Sequence, residues 1–289
     1  MNNRSEHIDN QATMQENEKL FFSKIEIPFD KSRQDVWELL AGKLEEKPEA
    51  TKIRFFRNRF VTTIAASVLI LLGTFSVMRF YSKTIVNPRG QHITVNLPDG
   101  SVVELNAQST LNYHPYWWNF SRKIDFSGEG FFRIAKGGKL EVSSAAGKTI
   151  VLGTSFNIYA RNNIYKVTCV TGKVKVVSST SEEAILTPNY HAEIDPAGSI
   201  MVKKLENPEA PTRWTNHMFN FTSAPLMLVI GEIERQYNVA VKTNTHLDLV
   251  YTGYFSKDMP VEQVLNLICK PFGLTFVKKS DDQYLIVQN

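Results

Sequence analysis

The chain has 289 residues, with 33 Lys and Arg against 29 Asp and Glu and a formal net charge of +4. So small a surplus, gathered on no single face, excludes nucleic-acid binding as the main task. Cys169 and Cys269 are the only cysteines, which leaves neither a disulfide framework nor a cysteine-rich metal site.

Residues 1–30 are polar and weakly patterned, the composition of a segment that orders on a partner. Ser32-Arg33-Gln34-Asp35 then reads as a helix-starting capping box with Asp in place of Glu. Val36, Trp37, Leu40 and Leu44 follow at helical spacing. A single short helix does not hold its shape alone in water. Its stripe therefore calls for a protein partner, or for a membrane surface, which the basic run after it would favour.

Nineteen uncharged residues, Phe60 to Met78, separate Arg59 from Arg79. As a helix they would span about 29 Å, one hydrocarbon core. Lys52, Arg54, Arg57 and Arg59 crowd the amino side of this stretch, Arg79 and Lys83 are the nearest cations beyond it, and no acidic residue occurs between Glu49 and Asp99. The bias of positive charge places the N-terminus in the cytosol. The C-terminal bulk is then exported, to the periplasm in a double-membraned bacterium. The expected divisions are a cytosolic segment over 1–59, a transmembrane helix over 60–80, a β domain over 84–201 and an α+β domain over 213–289.

Residues 84–91, TIVNPRGQ, read as a linker. From His92 to about Met201 the apolar period becomes two. Ile93, Val95 and Leu97 alternate with polar residues, Pro98-Asp99-Gly100 has turn chemistry, and Val103 and Leu105 return. Further strand-like pairs are Ile124/Phe126, Phe132/Ile134, Leu140/Val142, Ile150/Leu152, Phe156/Ile158 and Val174/Val176. Short strands at close spacing make an all-β domain, either sandwich or solenoid. Cys169 shares parity with Tyr165 and Val167, and Cys269 follows Leu265 and Ile268 on a helical pattern; both read as buried small apolar residues in separate domains, the alternative being a Cys169–Cys269 disulfide, which an oxidising exported compartment permits.

Residues 196–213 form a Pro-containing connector. After it the sequence repeats with an offset of 35: Pro225 with Pro260, Val229 with Val264, Ile230 with Leu265, Ile233 with Ile268, Tyr237 with Phe272. Each unit is a strand, a helix started by proline and a second strand, with Asn238 or Gly273 at the left-handed helix exit. Gln283–Gln288 would add a further strand. The fold class is therefore multi-domain: a short α segment, one transmembrane helix, an all-β domain and a duplicated βαβ domain.

Catalytic patterns are absent. The six histidines are scattered, and neither GxSxG, CxxC nor a phosphate loop occurs. The chain is expected to be no enzyme and to hold no cofactor or metal. Asp99 and Glu104 read as turn and strand-surface residues. Tyr113-His114-Pro115-Tyr116-Trp117-Trp118 reads as a corner packed over the β core, or as a carbohydrate or protein platform. Trp214 is expected to anchor the connector to the C-terminal domain.

Four stretches of the middle region resemble the FecR family of membrane-bound sigma-factor regulators, in the family's order: LPDGSVVELN from Leu97, GEGFF from Gly128, VLGTSFNI from Val151 and VTCVTGKV from Val167. The C-terminal repeat is similar to the domain that follows FecR in Bacteroidetes-type regulators, and to the short signalling domain of secretins and TonB-dependent transducers. Trp214, Phe219-Asn220-Phe221, Pro225-Leu226 and Glu234-Arg235-Gln236-Tyr237-Asn238-Val239 carry that likeness. The resemblance implies a transmembrane anti-sigma regulator of the bacterial inner membrane. Its implied partners are a cytosolic extracytoplasmic-function sigma factor, the periplasmic signalling domain of a TonB-dependent outer-membrane receptor, the membrane and an intramembrane protease, with no direct nucleic acid. Val36, Trp37, Leu40 and Leu44 would hold the sigma factor; the receptor-facing surface stays open. The competing reading is a membrane-anchored periplasmic adaptor or glycan-binding module with no transcriptional role.

Overall fold

The computed structural model describes residues 18–20, 23, 31–45, 59–207, 209–244 and 247–288, without the side chains of residues 44, 45, 59 and 61. Residues 1–65 and 66–289 form two compact units. Helix α1 (Arg33–Glu45) begins at the capping box. The Ser32 N–H donates to Asp35 Oδ2 at 2.9 Å, and the Asp35 N–H donates to Ser32 Oγ at 3.3 Å. Two otherwise orphaned donors are thus satisfied reciprocally. Trp37 is 70% exposed, and Leu40 and the off-stripe Leu39 are open too. Lys52, Arg54 and Arg57 lie outside the described residues, as does the side chain of Arg59.

Helix α2 (Arg59–Phe80) contains one span long and apolar enough to cross a membrane, Thr62–Phe80, none of it buried by protein. Its hydroxyls turn back onto the backbone: Thr63 donates to Phe60 O at 2.9 Å and Thr74 to Ile70 O at 2.8 Å. This removes most of their cost in an apolar medium. Apolar on all faces and with none of the span buried, the helix has the length and composition of a membrane crossing.

Thirteen strands follow: β1 (Lys83–Asn87), β2 (Ile93–Asn96), β3 (Val102–Leu105), β4 (Ser109–Tyr113), β5 (Arg122–Arg133), β6 (Leu140–Ser143), β7 (Gly147–Val151), β8 (Ser155–Arg161), β9 (Ile164–Thr171), β10 (Val174–Ser178), β11 (Glu183–Leu186), β12 (Tyr190–Ile194) and β13 (Ile200–Lys204). They build a sandwich whose sheets share one strand. The first sheet runs β1-β4-β5-β6-β7-β10-β11 and the second β2-β3-β5-β8-β9-β12-β13. Strand β5 pairs with β4 and β6 through Arg122–Ser127, then with β3 and β8 through Gly128–Arg133. It changes sheets at Gly128, whose φ is +114° and whose missing Cβ would lie 2.6 Å from Ser109 Cα. Only glycine fits both constraints. The two inner faces close over Leu105, Leu111, Phe132, Phe156, Leu140 and Ile158, among others, all but removed from solvent. Cys169 is free and buried in this core, and Cys269 is free and buried in the next; burial pushes each thiol up to about 11.

Three expectations change. Residues 84–91 are no linker: Lys83–Asn87 is β1, paired antiparallel with β4 from Lys83↔Tyr113 to Asn87↔Ser109, so only Tyr81 and Ser82 separate α2 from the sheet. On β7 the buried face is Thr149 and Val151, with Leu152 65% exposed, opposite in parity to the Ile150/Leu152 pair. Thr149 can be buried because its hydroxyl meets Tyr165 OH of the facing sheet at 2.7 Å, which repays its desolvation. The connector is shorter than 196–213, since β13 occupies Ile200–Lys204.

The C-terminal domain follows the repeat. Strand β14 (Met218–Pro225), helix α3 (Leu226–Tyr237) and β15 (Ala240–Thr243) form one unit; β16 (Val250–Ser256), α4 (Val261–Cys269) and β17 (Leu274–Ser280) form the other. Val229, Ile230 and Ile233 are buried, as are their equivalents Val264, Leu265 and Ile268. Asn238 and Gly273 take left-handed conformations at the exits. Pro225 and Pro260 sit one place earlier than expected, as N-caps with extended ψ; the fixed φ of proline suits that non-helical position as well as the first helical one. β14 pairs with β16, and β18 (Gln283–Gln288) lies between β15 and β17, parallel to the first and antiparallel to the second.

Replacing Gly128 by Ala should lower stability by about 3 kcal/mol or more, through strain and backbone overlap at the sheet-changing bend. Gly138→Ala, with nothing near its added Cβ, should stay within about 0.5 kcal/mol of the parent. Thermal unfolding of the detergent-solubilised chain distinguishes the two.

Candidate functional site

Polar side chains from distant parts of the chain meet where the β domain touches the C-terminal domain. Asn106 follows β3, Glu129 lies on β5 just past its bend, and Asn157 lies on β8. From the other side α3 offers Glu232, Arg235 and Gln236, spaced so that one helical face presents all three. Glu129 Oε2 accepts from Asn106 Nδ2 at 2.8 Å, and its Oε1 accepts from Asn157 Nδ2 at 3.1 Å. Gln236 Nε2 donates both to Asn106 Oδ1 and, at 2.7 Å, to Glu232 Oε1. Glu232 Oε2 accepts from Arg235 Nε at 3.1 Å and Nη2 at 2.7 Å. Every carboxylate oxygen of the pair is thereby taken by a donor of the protein itself.

The network extends at both ends. Trp214 Nε1 donates to Asn157 Oδ1 at 3.1 Å, and Gln236 Oε1 meets His92 Nε2 at 3.0 Å. The rings of Trp214 and His92 pack edge to face, with centroids 5.3 Å apart. Arg161 donates to the carbonyls of Ala107 and Gln108 at 2.6 and 2.8 Å, and the Gly90 N–H donates to Arg235 O at 2.8 Å.

The two carboxyls are driven apart. Burial, then the nearby charge of Glu232, pushes Glu129 up to about 7. Burial would raise Glu232 as well, but the guanidinium groups of Arg235 and Arg161 outweigh it and hold that carboxyl below its ordinary value. His92 is held low by burial and then by Lys257. One carboxyl at the seam thus titrates near neutrality while its neighbour stays charged.

Beside the seam opens a cleft of about 750 Å³. Lys166, His191 and Glu193 line its β-domain wall, and Phe221, Thr222 and Leu228 line the other. Strand β14 pairs only with β16, so its second edge has no β partner among the described residues, and Met218–Ala224 of that strand border the cleft.

The FecR protein family model matches residues 83–175, and the FecR, C-terminal family model matches residues 218–286, together more than half of the chain. The chain belongs to the FecR family. Two crystal structures of a candidate anti-sigma factor from Parabacteroides distasonis ATCC 8503, at 2.50 and 1.65 Å, are similar to it with a TM-score of 0.66 and 28% identity. The similarity covers 72% of this chain and 100% and 99% of theirs. No curated protein matches the sequence.

The stretches that carry the FecR resemblance supply the seam: Asn106, Glu129 and Asn157 from three of the four β-domain stretches, and Arg235 and Gln236 from the C-terminal one. Trp214 is corrected. It binds Asn157 and His92 of the β domain instead of anchoring the connector to the C-terminal domain, because its indole N–H finds its acceptor across the seam. Asp99 pairs with Arg122, and its carboxylate also caps the Ser101 N–H at 3.0 Å, so the turn is pinned to β5; Glu104 pairs with Arg133. Of the expected sigma-binding residues, Val36, Trp37 and Leu40 share one surface of α1 with Lys31 and Arg33; the side chain of Leu44 is outside the described residues. Among the described residues no group of three or more His, Cys, Asp or Glu could hold a metal ion.

Gln236→Ala leaves Asn106, Glu232 and His92 each short of a partner, and should weaken domain docking by roughly 1–3 kcal/mol. Limited proteolysis should then cut the connector after Lys204 faster than in the parent. A second expectation concerns pH. Because Glu129 is raised in the folded protein, its contribution to stability is complete below about 4.5 and is lost as pH rises through about 7, at up to about 1.4 kcal/mol per pH unit. His92, depressed from 6.5, contributes with the opposite sign. Glu129→Gln isolates the carboxyl: the melting temperature of the parent minus that of the variant should fall steadily from about pH 5 to pH 8.

Proposed function

We propose that this FecR-family chain is a single-pass anti-sigma regulator of the bacterial inner membrane. In this reading α2 spans the bilayer with the N-terminus in the cytosol. The apolar surface of α1, with Trp37 at its centre, covers the polymerase-binding face of an extracytoplasmic-function sigma factor. The β domain and the C-terminal domain stand in the periplasm and receive the signalling domain of a loaded TonB-dependent outer-membrane receptor. The observation that carries the reading is FecR-family membership across both domains, together with the likeness to an anti-sigma candidate over its full length.

Two further features support it. The exposed Trp37 and Leu40 match a helix that completes its fold on a partner. The unpaired edge of β14 offers backbone donors and acceptors to an incoming strand, which suits a β-rich receptor domain entering the cleft. Engagement there alters α2 or exposes it to an intramembrane protease, and the cytosolic piece frees or escorts the sigma factor. The reading assigns no catalysis, since Glu129 and Glu232 are committed to joining the domains.

Trp37→Ala should weaken binding of the full chain to its sigma factor by roughly 2–4 kcal/mol, the loss expected for a central aromatic anchor. Affinity measured with the detergent-solubilised protein checks this, and an unchanged value would remove Trp37 from the contact.

A further inference from the structure

The loop between β4 and β5 is built twice over from aromatic residues, with two different jobs. Tyr113 and Trp118 face inward, 3% and 2% exposed, and their rings meet edge to face at 5.6 Å. They tie the loop to the β core. Tyr116 and Phe120 between and beyond them are 56% and 72% exposed, and Phe120 packs on Trp117 with centroids 4.6 Å apart. Core packing explains the first pair and leaves the second unexplained.

The position of Trp117 supplies the explanation. Its ring meets Phe75 of α2 at 5.5 Å, and the Arg79 guanidinium lies 5.3 Å from its centroid. Phe75 precedes the end of the uncharged stretch by three residues, about 5 Å along a helix. A loop that touches Phe75 therefore reaches below the level at which that stretch ends. Tyr116 meets Tyr81 at 5.3 Å, and His114 Nδ1 lies 2.9 Å from Tyr81 O. The loop thus wraps the last turn of α2, with Trp and Tyr beside Arg79.

We infer that the 114–121 loop is a membrane-interface anchor, with Phe120 and the edge of Trp117 that meets Phe75 entering the upper acyl region of the bilayer, and with Tyr116 at headgroup level. The ligand is the lipid surface around α2, and the inference rests on the reading of α2 as a membrane span. Amphipathic rings prefer this boundary, because one end is apolar and the other reaches water. Arg79 suits the same depth, with its stem in hydrocarbon and its head among phosphates. The β domain is then seated on the membrane and does not hang from a tether.

The test uses the full chain in phosphatidylcholine vesicles carrying a nitroxide at the headgroup, high on the acyl chain or near its end. An environment-sensitive fluorophore is placed on Phe120→Cys, on Gly73→Cys within α2, or on Asn163→Cys in the exposed β8–β9 turn; the native thiols are buried. The probe at position 120 should lose roughly half its emission to the upper-chain quencher, as expected for a group 5–10 Å into the boundary, and the probe at 163 almost none. The probe at 73 should respond most to the deep quencher. Quenching at 73 with none at 120 overturns the anchor and leaves the span intact; a probe at 120 that is blue-shifted yet unquenched assigns the patch to protein contact and also overturns it. No quenching at 73 removes the span, and the anchor with it.

Discussion

A buried polar group must find a partner inside the protein, and that constraint decides how the two C-terminal domains of this chain are joined. Glu129, Asn106, Gln236 and Glu232 form one hydrogen-bonded line from β5 to α3. An apolar contact would let the domains slide at little cost, since hydrophobic attraction has no direction. Amides and carboxylates do not slide: a displacement that breaks one bond strands two groups away from water. The seam therefore has a docked arrangement and an undocked one, with little between them. Two like charges are not both held at its centre: Arg235 and Arg161 keep Glu232 charged, while burial and that charge push Glu129 up to about 7.

Continuity runs in the other direction as well. Helix α2 ends at Phe80 and β1 begins at Lys83, and β1 is bonded along its whole length to β4. The chain then returns through Gly90, whose N–H reaches the last turn of α3. One short run of residues thus touches the helix end, the sheet and the C-terminal domain. Helix α3 thus bears both on the β-domain side of the seam and, through the Gly90 N–H, on the segment that follows β1.

What could be read from the sequence, and what could not, divides along the range of the interactions involved. Strands with an apolar inner face, the 35-residue repeat and the left-handed exits at Asn238 and Gly273 are local or periodic, and alternation exposes them. Thr149 escaped because a hydroxyl bonded to a facing tyrosine counts as polar in any periodic reading. β1 escaped because five residues before a Pro-Arg-Gly turn carry too little alternation to tell from a linker. The seam escaped altogether: Gln236 and Asn106 lie 130 positions apart, and single polar residues leave no periodic trace. Asn106, Glu129 and Asn157 stood inside the stretches that carry the FecR resemblance, yet their residue types alone suggested neither metal, nucleophile nor domain contact.

The order of strands in the C-terminal domain also differs from their order in the chain. β18, the last of them to be synthesised, occupies the middle of its sheet, with β15 and β17 on its two sides. Neither flanking strand has another partner in that sheet among the described residues, so β15 and β17 are joined only through β18. Without β18 the two strands would present aggregation-prone edges at its place in the sheet, so this one segment decides whether the domain closes.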